Sequence, residues 1–185
     1  MKWFCNSLKN NHNTIVEWNM YMREVCEYTL TNNSAKIGGV NTTVEIDESC
    51  FSKRGICRET KETFLVPVPD RSARTLLPII IEHVAAGTTI ITDEWRSYQR
   101  LDQTFHHMTV NHSINFVDPN TLTHTNTIES SWGKIKSRNK KQWGTYRPML
   151  NSYLVEYMWR KRYGPNNLFE TMLQHIAHFM PPQSK

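Results

Sequence analysis

The order in which hydrophobic periods change along this 185-residue chain predicts an α/β fold, a mixed five-stranded sheet with helices on both faces. Three observations carry that expectation. The spacing of apolar residues is helical before residue 36 and alternates from residue 43. A β-branched run, Thr88-Thr89-Ile90-Ile91-Thr92, has the composition of a central strand covered on both faces. Helical spacing then returns over the last third of the chain.

Each element follows from its residues. Ile15, Trp18, Met22, Val25 and Thr29 recur at helical spacing with Tyr21 and Cys26 beside them, which predicts a helix over 14–31. Thr14 with Glu17 three residues later makes a candidate capping box at its start. Lys36-Ile37-Gly38-Gly39 ends the element as a turn. In Thr43-Val44-Glu45-Ile46-Asp47-Glu48-Ser49, Val44 and Ile46 fall on one face of a strand, and Glu45, Asp47 and Ser49 on the other. Residues 55–58 and 63–66 read as two more strands joined by a turn at 59–61. Pro67 and Pro69 cannot donate to a ladder, so the third strand belongs at a sheet edge. A helix over about 72–86 contains Pro78 and is stopped by Gly87, and the β-branched fourth strand ends at Asp93. A short helix around 94–101 and a fifth strand at 107–111 follow, then a polar loop over 113–124. Helices are expected over about 127–139, 148–162 and 167–179.

Charge is distributed unevenly. From Lys134 to Arg162 there are nine Lys or Arg against Glu156 alone, so this stretch carries +8 and the remainder −3. Concentrated positive charge suits a polyanion, with a solvated helix face as the plain alternative. No apolar run reaches the roughly 20 residues of a membrane span, so no membrane role is expected. The start of the chain has one basic residue and no long apolar stretch, which predicts no signal peptide. Cys5, Cys26, Cys50 and Cys57 match no zinc spacing, and free thiols favour a reducing compartment.

Three acids stand where strands and a helix start bring them into reach. Asp47 lies in the first strand, Asp93 at the end of the fourth, and Glu129 in the first turn of the helix after the polar loop. If strands one and four are neighbours, the three carboxylates meet at one sheet edge. Carboxylates about 4 Å apart repel by roughly 1 kcal/mol even at the dielectric of water. Such a cluster needs either raised pKa values or a cation, and hard oxygen donors suit Mg²⁺ or Mn²⁺. Two ions about 3.5–4 Å apart stabilise both the attacking and leaving oxygens of a phosphoryl displacement. Each acid also has an ordinary use: Asp47 on a half-exposed strand, Asp93 capping the next helix, and Glu129 in a capping box with Asn126. Along the 127–139 helix, Glu129, Gly133, Lys136 and Lys140 share one face, opposite Ile128, Trp132 and Ile135. Lys134, Lys136, Arg138, Lys140, Lys141 and Arg147 are the candidate DNA contacts, with Trp143 among them able to stack on an unpaired base. His112, His124 and Asn126 are candidate accessory residues near the acids. Asp70 and Asp118 are outer acids or loop caps, and Trp95, Trp132, Trp143 and Trp159 are expected core residues.

A chain of segments also resembles a known family. They are 13–18, 23–26, Lys36-Ile37-Gly38-Gly39, Val44-Glu45-Ile46-Asp47-Glu48-Ser49, Phe64-Leu65-Val66-Pro67-Val68-Pro69-Asp70-Arg71 and 75–78. Thr92-Asp93-Glu94-Trp95, 110–113, 115–119, His124-Thr125-Asn126-Thr127-Ile128-Glu129 and Tyr157-Met158-Trp159-Arg160 continue the series in order. Together they are similar to the Merlin superfamily of DDE transposases and their bacterial insertion-sequence relatives. The resemblance implies a ribonuclease-H-like catalytic domain over 41–163 with Asp47, Asp93 and Glu129 as catalytic, metal-binding acids. The 35 residues between Asp93 and Glu129 match the spacing of the wider recombinase class. It further implies two Mg²⁺ or Mn²⁺ ions, transposon ends and target DNA as partners, and a homodimer or higher oligomer on DNA. Residues 1–40 become the helical remnant of a DNA-binding region, and 164–185 a helix packing on the domain. The expected compartment is the nucleus in a eukaryotic host and the cytoplasm in a bacterial one.

One departure bears on the site. Family members have a further stretch, basic and then aromatic, between the positions of Arg54 and Gly55, and this chain lacks it. A shortened second strand, a tight turn over Ser52–Gly55 and a sheet narrowed beside Asp47 are the expected consequences, touching activity more than fold. Three functions therefore stand: a metal-dependent transposase, a domesticated and catalytically impaired relative that only binds DNA, and a protein-interaction domain on the same scaffold.

Overall fold

A computed structural model describes residues 11–49, 52–110, 147–164 and 166–180. The chain divides into two compact units, one of residues 1–34 with 155–185 and one of residues 35–154.

The second unit is built on one sheet. Its strands are β1 (Thr43–Ser49), β2 (Ser52–Cys57), β3 (Thr63–Pro67), β4 (Thr89–Asp93) and β5 (His106–Val110), in the order β3-β2-β1-β4-β5. β1, β2 and β3 pair antiparallel, whereas β4 runs parallel to both β1 and β5. This is the mixed five-stranded sheet expected, in an arrangement consistent with a ribonuclease-H-like fold. The proline-ended β3 lies at an edge, where a missing donor costs nothing. Val44, Glu45 and Ile46 of β1 are all buried, as are the successive Ile90, Ile91 and Thr92 of β4. Because successive side chains point to opposite faces, both strands are covered on both sides.

Between β3 and β4 runs a helix, α2 (Ala73–His83), with Ser72 accepting from the Thr75 amide as its cap. Pro78 stands inside it, and the helix begins five residues before the proline and continues five residues past it. It ends at His83, earlier than Gly87, because Val84 leaves to bridge Ile37 in strand fashion. After β4 the expected short helix is two 3₁₀ turns, Arg96–Tyr98 and Leu101–Gln103.

The missing stretch leaves β2 intact. Ser49 pairs with Ser52 and the ladder continues to Val44 with Cys57, so Ser52–Gly55 belong to the strand and make no turn. The sheet is accordingly not narrowed beside Asp47, whose partner in β2 is Arg54. Gly55 explains how so short a strand packs. A Cβ there would stand 2.2 Å from the Phe64 ring, which lies across the glycine from β3 and stacks on His83 at 4.8 Å.

The first unit contains α1 (His12–Asn32), the later part of α3 (Leu150–Arg162) and α4 (Leu168–Phe179). Asn11 caps α1 by accepting from the Asn13 amide, so the Thr14–Glu17 capping box does not form. Cys26, Val155 and Trp159 make the buried core, with Leu30, Met158, Tyr163, Leu168 and Met172 packed on it. Trp159 donates from its indole nitrogen to His175 Nδ1 at 3.0 Å, satisfying the one polar atom it buries. Trp18 departs from its expected core stripe and is 61% exposed, and Tyr21 beside it is exposed too. Among the described residues no helix is long and apolar enough to cross a membrane.

Candidate active site

The parallel pairing of β1 with β4 builds the site. Thr43, Val44 and Glu45 stand opposite Thr89, Ile90 and Ile91. Carrying that offset forward two residues sets Asp47 beside Asp93, on one face and at one row of the sheet. The β1–β4 pairing itself ends at Glu45 and Ile91, and each aspartate stands two residues beyond it on adjacent parallel strands. Both are half-buried at the C-terminal ends of their parallel strands. The chain leaves β1 toward β2 on one side and leaves β4 toward β5 on the other, so this row is a topological switch point. In open α/β sheets, that crevice beyond the carboxyl ends is where ligands bind.

Asp93 serves two purposes. Its Oδ1 accepts from the Trp95 amide at 3.2 Å, an Asx-type turn that steers the chain out of β4. Its Oδ2 accepts no hydrogen bond among the described residues. The helix-cap use expected as the alternative is absent, since the Arg96–Tyr98 turn has no side-chain cap. A pair of hard carboxylate donors, with Asp93 Oδ2 accepting no hydrogen bond among the described residues, suits a divalent cation of the Mg²⁺ or Mn²⁺ type. Among the described residues, no three metal-ligating side chains cluster. The third acid, Glu129, lies outside the described residues, as do His112, His124, Asn126, Asp118, Trp132, Trp143, Lys134, Lys136, Arg138, Lys140 and Lys141. Of the expected DNA contacts only Arg147 is reached, where its backbone opens the 3₁₀ turn Arg147–Met149 before α3.

Neighbouring groups support this row from both sides. Two residues before Asp47, on the same face, Glu45 is fully buried and accepts from Arg58 Nε. A carboxylate in the middle of a central strand is tolerable only with such a partner. Alternation placed Glu45 on the face of Asp47, but nothing in the sequence paired it with Arg58, thirteen residues away across a hairpin. On the opposite face of β4, Thr92 Oγ1 lies 2.9 Å from His107 Nε2. Burial pushes the His107 imidazole below its ordinary value, against the opposing charge of Asp102. It therefore stays neutral at physiological pH and stitches β5 to β4 directly behind Asp93.

Part of the basic segment has local work. Arg160 Nε donates to Glu156 at 2.9 Å, one helical turn away, and Lys161 sits 5.9 Å above the Tyr157 ring. Together with Arg162 they also oppose the negative end of α3. Asp70 caps its loop as one of the two expectations had it, accepting from the Ser72 amide at 2.8 Å and from Thr75 Oγ1 at 2.9 Å. Hydrogen bonding from the Ser72 side chain first, then from its amide and from Thr75, holds its carboxyl below the usual range. Trp95 is not core: it is 44% exposed beside Asp93.

Comparison with known proteins bears on this geometry. Residues 38–162, which span all three acids, match the ISXO2-like transposase domain. An "uncharacterized transposase-like protein" of Haemophilus influenzae is 35% identical over 100 residues, covering 54% of this chain and 80% of that protein.

Proposed function

The chain belongs to the ISXO2-like transposase family, and on that premise we propose that it is a DDE transposase, cutting DNA and transferring the freed strand with Asp47, Asp93 and Glu129. A transposase domain implies DNA as its partner, and the family generally uses a divalent metal. The observation that supports the finer reading is the parallel pairing of β1 with β4, the neighbouring strands that carry Asp47 and Asp93, at the switch point.

The chemistry follows from that row. Water attack on phosphorus breaks a P–O3′ bond and leaves a 3′-hydroxyl and a 5′-phosphate. The 3′-hydroxyl then attacks a target phosphodiester, joining the strands as the target's own 3′-oxygen departs with the proton. When bound, two Mg²⁺ or Mn²⁺ ions supply charge neutralisation at the phosphate and a stronger nucleophile at neutral pH. Asp47 and Asp93 would hold the cations from their strands, with Glu129 as the third ligand. The buried Glu45–Arg58 pair keeps the β1 backbone beneath Asp47 in place. Lys134, Lys136, Arg138, Lys140, Lys141 and Arg147 draw the DNA backbone toward the acids.

Incubation with supercoiled plasmid and Mn²⁺ tests the reading. Nicking is expected, and Asp93→Asn or Glu129→Gln should reduce it by more than about a hundredfold, since even outer partners of metal ligands cost 10–100-fold. Nicking that survives Asp93→Asn removes the metal-acid model. Steeply salt-dependent DNA binding with no nicking in Mg²⁺ or Mn²⁺ would instead favour a domesticated relative that binds without cutting.

A further inference from the structure

The segment that leaves Asp93 carries a surface feature that catalysis by three acids does not use. Trp95 is exposed over nearly half its surface, although tryptophan is on average among the more buried residues. Its ring is nevertheless fixed. Its backbone amide donates to Asp93 Oδ1, and its indole Nε1 donates to the Arg71 carbonyl at 3.3 Å. The Arg71 guanidinium carbon stands 4.6 Å from the ring centroid, a cation–π contact. Ser97 Oγ donates to the same Arg71 carbonyl at 2.7 Å. The loop that presents Arg71 is itself held by Asp70, which ties Ser72 and Thr75 at the start of α2. A large aromatic surface is thus pre-set next to Asp93, with a fixed positive charge against it.

We propose that Trp95 and Arg71 form a stacking platform that takes one unpaired DNA nucleotide beside the phosphate held at Asp47 and Asp93. The base lies on the indole, and the guanidinium takes the charge of an adjoining phosphate. The inference rests on the DNA-cutting reading for its location, but it concerns binding and has its own readout. Aromatic stacking accepts any base, because every base has a π face, and favours nucleotides already free of their partner. A ring whose orientation is fixed in advance loses little freedom when a base lands on it.

Binding is measured in an Asp93→Asn background, where cleavage is blocked and the amide oxygen still accepts from the Trp95 backbone. The probes are a duplex with one unpaired 2-aminopurine at its end and its fully paired counterpart. Trp95→Ala is expected to weaken binding of the unpaired probe about ten- to a hundredfold, the range for one lost base stack, and to abolish quenching of the 2-aminopurine. Trp95→Phe should restore most of the affinity and the quenching, which separates stacking from a folding defect. Arg71→Ala should weaken both probes and lower the salt dependence. Equal affinity of Trp95→Ala and its parent for the unpaired probe overturns the platform, as does equal loss on both probes. If the otherwise unaltered chain nicks plasmid while Trp95→Ala binds normally, the platform fails and the transposase reading stands. If nicking is never seen but the Trp95 effect is, the platform stands without it.

Discussion

Single side chains in this protein are governed by what burial does to polar groups. Glu45 remains in the middle of the sheet because Arg58 reaches across the hairpin to it, and Asp93 divides its oxygens between a turn and the face shared with Asp47. Cys26 shows the same physics in a thiol. Burial, aided by the Glu156 charge, pushes it from 9.0 up to about 12. The thiol is neutral when protonated, so the folded chain binds this proton more tightly than the unfolded chain. Its contribution to stability is complete below about pH 9 and is lost as pH rises toward 12. The expected slope is about 1.4 kcal/mol per pH unit in that window. Urea unfolding across pH 8–11 should show this slope in the parent chain and a flatter one in Cys26→Ala. Equal slopes would mean that another group governs alkaline stability.

At the scale of elements, packing across strands decides what intrinsic preference does not. β2 contains Gly55 in its middle, where glycine weakens a strand, yet the Phe64 ring occupies the space a side chain would need. Gly55→Val should destabilise the chain by about 2–3 kcal/mol through overpacking. Adding Phe64→Ala to Gly55→Val should cost less than the sum of the two single changes, because the second removes the clash. Strict additivity in thermal melts would mean that Phe64 does not occupy that space in solution. Helices are less well specified by their periods. Trp18 and Tyr21 of α1 sit near a helical stripe but face solvent, while Val25, Cys26 and Thr29 one turn further on are buried. Helical spacing marks a face; it does not say how far along that face a partner extends.

For the whole molecule, charge separation sets how it meets a polyanion. Nine cationic residues between Lys134 and Arg162 face only Glu156 in the sequence. Three of the nine, Arg160, Lys161 and Arg162, complement the end of α3. DNA affinity measured against salt should fall steeply, and Lys136→Ala with Lys140→Ala should lower the logarithmic slope by nearly two, as each phosphate contact contributes about 0.9. An unchanged slope would exclude both lysines from the backbone contacts.

Sequence alone determined the α/β class, the edge position of β3, the burial of β4 and the placing of Asp93 at its strand end. These follow from side-chain periods of 2 and 3.6, from proline's missing donor and from β-branched composition, all of which are local. Tertiary structure decided which strands are neighbours, and with that the adjacency of the strands that carry Asp47 and Asp93. It also decided the partner of Glu45, the exposure of Trp95 and the six-residue β2 that pairs along β1. Those features depend on residues far apart in the chain. The packing free energy that selects them belongs to contacts between elements, which no local pattern contains.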